Sequence, residues 1–283
     1  MMALATTGMA AGADGGRAAR TDPRGTDPRG TDWGGFMLLA TFMIALVFGL
    51  LALPRIASAP LAASGPLALA AVAFAALLSL ERRVAAPLFV RAFFSLRHFA
   101  TGVGVGIGSV SMFCIMALLL YFNLFAQSPE GLRDTPLEAG TALLPLSAAL
   151  LAVAMSAPAI AARIGLRTAM TVAMALIVTG SAVIFLAVSG FGSGVLSAGF
   201  VLMGAGLAMP YASAPRLALS ALAREQAGKG SGIVNVCTFL AGSVGAAGGA
   251  IATQLGGFPA VLAMLALAGL LRLAVSRLIP DQT

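Results

Sequence analysis

The stretch TAMTVAMALIVTGSAVIFLAVSGFGSGVLSAGFVLMGAGLAMPYASAP, running from Thr168 to Pro215, contains no acidic, basic or histidine residue. As one helix it would extend about 70 Å at a rise of roughly 1.5 Å per residue, more than twice the ~30 Å hydrocarbon core of a bilayer. A single crossing cannot absorb it. The run Gly190-Phe-Gly-Ser-Gly194 supplies the break, because clustered glycines punctuate apolar helices, and two spans result. The block from Gly230 to Leu271 has the same form, with its break at Gly256-Gly257 and Pro259 just beyond. Four shorter uncharged stretches lie upstream: Gly34 to Leu53, Leu61 to Leu80, Phe99 to about Ala126, and Ala139 to Ala162. Lipid requires every backbone polar group to be satisfied within its own segment, so all of these are predicted as helices.

The composition agrees with that reading. Of the 283 residues, 59% are hydrophobic and 10% charged, against about 25% charged in ordinary soluble domains. A soluble enzyme and a disordered chain are excluded. The prediction is an all-α integral membrane protein with eight transmembrane helices. The net charge of +7 would suggest nucleic acid in a soluble protein, but in a membrane protein basic residues mark the cytoplasmic side. Arg17, Arg20, Arg24 and Arg29 precede the first span, and Arg82, Arg83, Arg91 and Arg97 fall in the second connection. Arg163 and Arg167 fall in the fourth, Arg216, Arg224 and Lys229 in the sixth, and Arg272 and Arg277 at the C-terminal end. The odd-numbered connections hold only Arg55 and Arg133, so the division is 15 against 2. Both termini are expected in the cytoplasm, and a wrong span count would have scrambled the alternation. No nucleic-acid partner is expected.

Outside the spans, Thr-Asp-Pro-Arg-Gly occurs at 21–25 and again at 26–30. Its prolines, glycines and balanced charges predict a flexible linker within a cytoplasmic tail, residues 1–33. Met1–Ala13 lacks the basic start and apolar core of a signal peptide. A two-helix pair is expected over 34–80, a basic cytoplasmic connection over 81–98, and the remaining helices over 99–283.

The motifs favour packing and transport over catalysis. Gly102-Val-Gly-Val-Gly-Ile-Gly108 has the look of a nucleotide-binding loop, but it lies in an apolar span without a preceding strand or a following ribose-binding acid. Small residues four apart let helices approach closely in lipid. The pairs Gly104 with Gly108 and Gly245 with Gly249 have that spacing. Gly204 and Gly206, followed by Pro210 and Pro215, make a thin, kinkable helix of the kind that either packs closely or lines a transport cavity. His98, the one histidine, lies in a basic connection, and Cys114 and Cys237 lie inside apolar stretches. No catalytic residue, metal site or cofactor is therefore expected, and the chain is not predicted to be an enzyme. Glu81, Glu130, Asp134, Glu138 and Glu225 sit at span ends or in connections, which leaves no carboxylate in mid-membrane to carry a proton. The polar residues Tyr121, Asn123, Gln127, Tyr211 and Asn235, together with Met209, are candidates to line a substrate cavity, while the polar ones could equally bond neighbouring helices.

Several segments together resemble the fourteen-helix drug:proton antiporter branch of the major facilitator superfamily. They are Asp32-Trp-Gly-Gly35, then Glu81-Arg-Arg-Val-Ala-Ala-Pro-Leu88 leading to Phe93-Phe-Ser-Leu-Arg-His-Phe99, and Pro136-Leu-Glu-Ala-Gly140 with Leu144-Pro145. Ala157-Pro158 running to Arg163-Ile-Gly-Leu-Arg167, the Gly204–Pro210 run, and Gly228-Lys-Gly-Ser-Gly-Ile-Val-Asn235 with Gly242 and Gly245 complete the set. The resemblance places the first two spans on that branch's central helix pair and the last six on its C-terminal six-helix bundle. It implies that Arg163, Gly165 and Arg167 form a cytoplasmic gating loop, and that Asn235 and the Gly204–Pro210 helix face a cavity. Thr238 stands where such sequences usually carry arginine.

The resemblance implies a multidrug-efflux permease in the plasma membrane, exchanging a lipophilic small molecule for protons. The N-terminal six-helix bundle of such transporters is not represented, so transport is expected to require it from a second chain or from self-assembly. The alternative is a non-transporting truncated product or a membrane interaction subunit. Reporter fusions at Arg133 and at Arg224 check the topology. They are expected on opposite faces of the membrane, and finding both on one side would overturn the eight-span arrangement.

Overall fold

The structure is a computed structural model that describes residues 33–53, 58–81, 107–220, 222 and 226–275. The tail, the basic connection with His98, the Gly102–Gly108 run as far as residue 106, Arg224 and Arg277 lie outside the described residues.

Among the described residues the regular structure is helical: α1 Trp33–Ala52, α2 Pro60–Glu81, α3 Ile107–Gln127, α4 Pro136–Ala142, α5 Leu144–Ile164, α6 Leu166–Leu186, α7 Ser193–Leu219 and α8 Ala227–Val275. Seven segments among them are long and apolar enough to cross a membrane. The expectation over Ala139–Ala162 is refined by the geometry, which divides that region at Leu143. The Leu143 amide donates to the carbonyls of Gly140 and Thr141. Pro145 follows in the first turn of α5, and without an N–H it cannot continue the ladder of α4. A capping box opens α4: the Glu138 carboxylate accepts from the Thr135 amide at 2.8 Å, and the Thr135 hydroxyl accepts from the Glu138 amide at 3.3 Å.

The two long uncharged blocks bend where their glycines cluster. Between α6 and α7 a π-helical turn, Ala187–Phe191, ends in Gly190 at φ 117° and Gly192 at φ 89°. Inside α8 the backbone leaves helical geometry at Gly256–Gly257, with Gly257 at φ 66° and ψ −158°, a conformation closed to residues carrying a Cβ. The half of α8 before this bend packs on α3, where Gly245 meets the Phe113 backbone. The half beyond it packs on α6, where Gly269 meets Val178 and Ile177.

The core lies where α3, α6, α7 and the second half of α8 converge. Phe122 and Phe200 are fully buried and meet edge-on with ring centroids 4.8 Å apart, and Phe125 stacks on Phe258 at 4.9 Å. A smaller cluster of Ala157, Met170, Ala173, Met209 and Leu217 joins α5, α6 and α7. The α1–α2 pair is peripheral. It holds itself together through Phe42 against Phe74, with centroids 5.0 Å apart, and touches the rest of the described structure through α8. Its outer side chains, among them Phe36, Leu61 and Val72, are exposed, as lipid-facing side chains are.

Association between helices in lipid depends on close packing, since lipid tails are as apolar as leucine. The central helix α7 shows how close that packing is. A methyl group added at Gly206 would stand 2.7 Å from the Ala173 carbonyl oxygen of α6, and one added at Gly204 would strike the Leu146 backbone of α5. At Gly194, in the first turn of α7, it would meet nothing within 4 Å. Gly206→Val is therefore expected to destabilise the purified protein by roughly 1–3 kcal/mol, read as a lowered apparent melting temperature in detergent. Gly194→Ala is expected to leave that temperature unchanged, and equal effects would contradict the packing account.

Candidate functional site

The residues that sequence reasoning singled out for a substrate cavity are distributed over three environments. Tyr121, on α3, is 7% exposed, and its hydroxyl donates to the Ala246 carbonyl of α8 at 2.8 Å. The edge of its ring lies against Gly249, where a Cβ would strike it. This is a bond between helices inside the core. Two residues further along α3, the Asn123 amide donates to its own helix at Leu119, 3.0 Å away, and accepts from the exposed Gln127 at 3.4 Å. That pair forms a short polar strip at the end of α3 that leads into the connection carrying Glu130, Arg133 and Asp134. Arg133 takes a positive φ of 61° there, and its Nε donates to the Pro129 carbonyl at 2.9 Å.

Helix α7 carries Met209 and Tyr211 and runs unbroken through Pro210 and Pro215. Met209 is 2% exposed and lines a small cavity of about 130 Å³ with Val153, Ile160, Ala173 and Ala205, among α5, α6 and α7. Pro210 is buried beside it, whereas Tyr211 points outward and is exposed. Gly204 and Gly206 lie on opposite flanks of α7, each turned to a different neighbouring helix.

Asn235 stands elsewhere, on the first half of α8. It lines a groove of about 430 Å³ whose opposite wall is α1, with Met43, Val47 and Phe48 facing Val236 and Phe239. Ser243 also lines it, its hydroxyl donating to the Phe239 carbonyl at 3.1 Å. Asn235 is exposed, and its amide has no hydrogen-bond partner among the described residues. Among the described lining residues it is the one carboxamide, with donor and acceptor both available. Thr238, one turn on, is engaged instead, donating to the Val234 carbonyl at 2.7 Å.

The candidate gating residues meet in a tight corner. Gly165 alone links α5 to α6, at φ 79° and ψ 147°, so the two helices turn back on each other without a loop. Arg163 and Gly165 are exposed at this corner and Arg167 is half-buried. Gly108 is the second residue of α3, and Gly104 lies outside the described residues.

Two features were not anticipated from sequence. Arg216 borders a crevice of about 570 Å³ between α5 and α7, beside Gly165. Arg272, near the end of α8, is 5% exposed, and one terminal guanidinium nitrogen has no hydrogen-bond partner among the described residues. In the sequence both read as ordinary boundary arginines, because position in the chain says nothing about which neighbour covers a side chain. Among the described residues no group of three or more His, Cys, Asp or Glu is arranged to hold a metal ion. Glu130, Asp134 and Glu138 lie in the connection after α3 or the first turn of α4.

Comparison with known proteins gives this architecture a family. The chain is 29% identical over 213 residues, 75% of its length, to the tetracenomycin C resistance and export protein of Streptomyces glaucescens. It spans 39% of that relative's own length. The model of the Major Facilitator Superfamily matches residues 31–246, from the start of α1 into the first half of α8, and the chain belongs to that superfamily of membrane transporters.

Proposed function

We propose that these residues form part of an export permease that moves lipophilic small molecules out of the cell across the plasma membrane in exchange for protons. The family match over residues 31–246 carries the transporter reading. The direction of transport and the substrate class draw on the relative, whose name describes resistance and export.

In this reading the two halves of α8 cross the membrane separately on either side of Gly256–Gly257. That makes eight crossings, with both termini cytoplasmic. The six from α3 onward form one transporter bundle, and α1 and α2 form the added central pair. Substrate moves along a cavity between this bundle and a second six-helix bundle, in the manner of alternating access by two rocking halves. Asn235 supplies a hydrogen bond within that path, with the outward-facing Tyr211 on the adjoining helix, and the Arg163–Gly165–Arg167 corner acts at the cytoplasmic gate. Proton coupling falls to carboxylates of the second bundle, because the described carboxylates on and after α3 lie in a connection or a first helical turn.

Reconstituting these 283 residues alone in liposomes with a pH-sensitive dye tests the need for a second bundle. No drug-stimulated proton flux is expected, and robust flux would refute that requirement. With the partner bundle of a related exporter co-expressed, Asn235→Leu is expected to lower kcat/KM for a hydrogen-bonding drug about five- to tenfold, the worth of roughly one such bond. An unchanged value would remove Asn235 from the path.

A further inference from the structure

The geometry points to a binding site for the phosphate headgroup of an anionic phospholipid in the crevice between α5 and α7 at the Gly165 corner. Arg216 and Ser213 are three residues apart on α7, which places them on one helical face, and both border the crevice. Neither side chain has a hydrogen-bond or ion-pair partner among the described residues. Ser220, also on this wall, is committed differently, its hydroxyl donating to the Leu217 carbonyl at 2.9 Å. Among the described residues no carboxylate lines the crevice, so none of them answers the charge of Arg216 there. The N-terminus of α6 opens on the same space at Gly165 with no side-chain cap, and its dipole adds positive potential there.

The opposite wall decides the kind of anion. It is formed by α5 through apolar positions such as Pro158 and Ala161, so one side of the crevice offers a cation and a hydroxyl and the other offers hydrocarbon. A free phosphate would satisfy only the first. At about 570 Å³ the space holds a phosphoglycerol headgroup and the start of an acyl chain. Depth agrees: Arg216 lies about 35 Å along α7 from Ser193, just beyond a hydrocarbon core of about 30 Å, which is the level of lipid phosphates. Basic pockets between helices at this level are suited to anionic headgroups. The inference requires only that α5 to α7 span a bilayer, and it stands apart from the transport reading.

The test is native mass spectrometry of the delipidated full chain in nonionic detergent, titrated with short-chain phosphatidylglycerol. Parallel arms use short-chain phosphatidylcholine and inorganic phosphate as competitors. Retained phosphatidylglycerol is expected to fall on the order of fivefold in Arg216→Gln, the contribution of about one basic residue, with recovery in Arg216→Lys and no change in Arg133→Gln at the opposite end of the helices. Three results would overturn the proposal: equal retention of the zwitterionic lipid, displacement by inorganic phosphate at matching concentration, or an equal loss in Arg133→Gln. Flux measurements do not enter the outcome, so failure here leaves the transport reading untouched.

Discussion

Close backbone approach at small residues is the constraint on which the rest of this structure depends. In water, apolar side chains are driven together by leaving the solvent. In lipid that drive between helices is absent, and what remains is contact, hydrogen bonding and the order of the lipid itself. Helix α7 meets two partners at once because Gly204 turns its bare backbone to α5 while Gly206 turns its own to α6. Gly245 does the same for α8 against α3. Larger side chains then fill the spaces between these contacts, as Phe122, Phe200 and Phe258 do. The glycines set the distances, and the aromatic residues fill what those distances leave.

The same constraint explains how polar groups are used. Most hydroxyls within the helices donate back to the carbonyl three or four residues earlier, as Thr179, Ser181 and Thr253 do, so they cost little in lipid and carry no information between helices. Tyr121 departs from this pattern by reaching across to Ala246, which ties α3 to α8 with direction as well as contact. Asn235, Ser213 and Arg216 depart from it in another way, since no described residue satisfies them. Two of the three border the crevice at the Gly165 corner and the third lies in the groove shared with α1, and these are the places where binding chemistry remains available.

A division of labour follows within the helices. Their apolar interior is occupied by packing, with Met209 and Pro210 enclosed among α5, α6 and α7. Asn235, Ser213 and Arg216 sit at its margins, in the groove between α1 and α8 and at the end where α5 turns into α6. A transporter that works between two bundles is expected to keep its binding groups on a margin, because a cavity between halves is lined by the outer face of each.

The amino-acid sequence alone made the class of this protein legible. Membrane helices announce themselves by length and by lack of charge, and the breaks at Gly190–Gly194 and Gly256–Gly257 were readable because positive φ values require glycine and the uncharged blocks were too long for one crossing. The break at Leu143 was not readable in the same way, since Pro145 sits equally well in the first turn of a helix or at a kink within one. The site was much less legible. Tyr121 and Asn235 are both polar residues in apolar surroundings, and nothing local distinguishes the one that bonds a neighbouring helix from the one that faces a groove. Arg216 and Arg272 likewise share a boundary signature, yet one borders an open crevice and the other is covered. Hydrophobicity and glycine placement are properties of the chain and can be read along it. Which face of a helix is covered, and by what, depends on partners distant in sequence, and only the tertiary structure decides it.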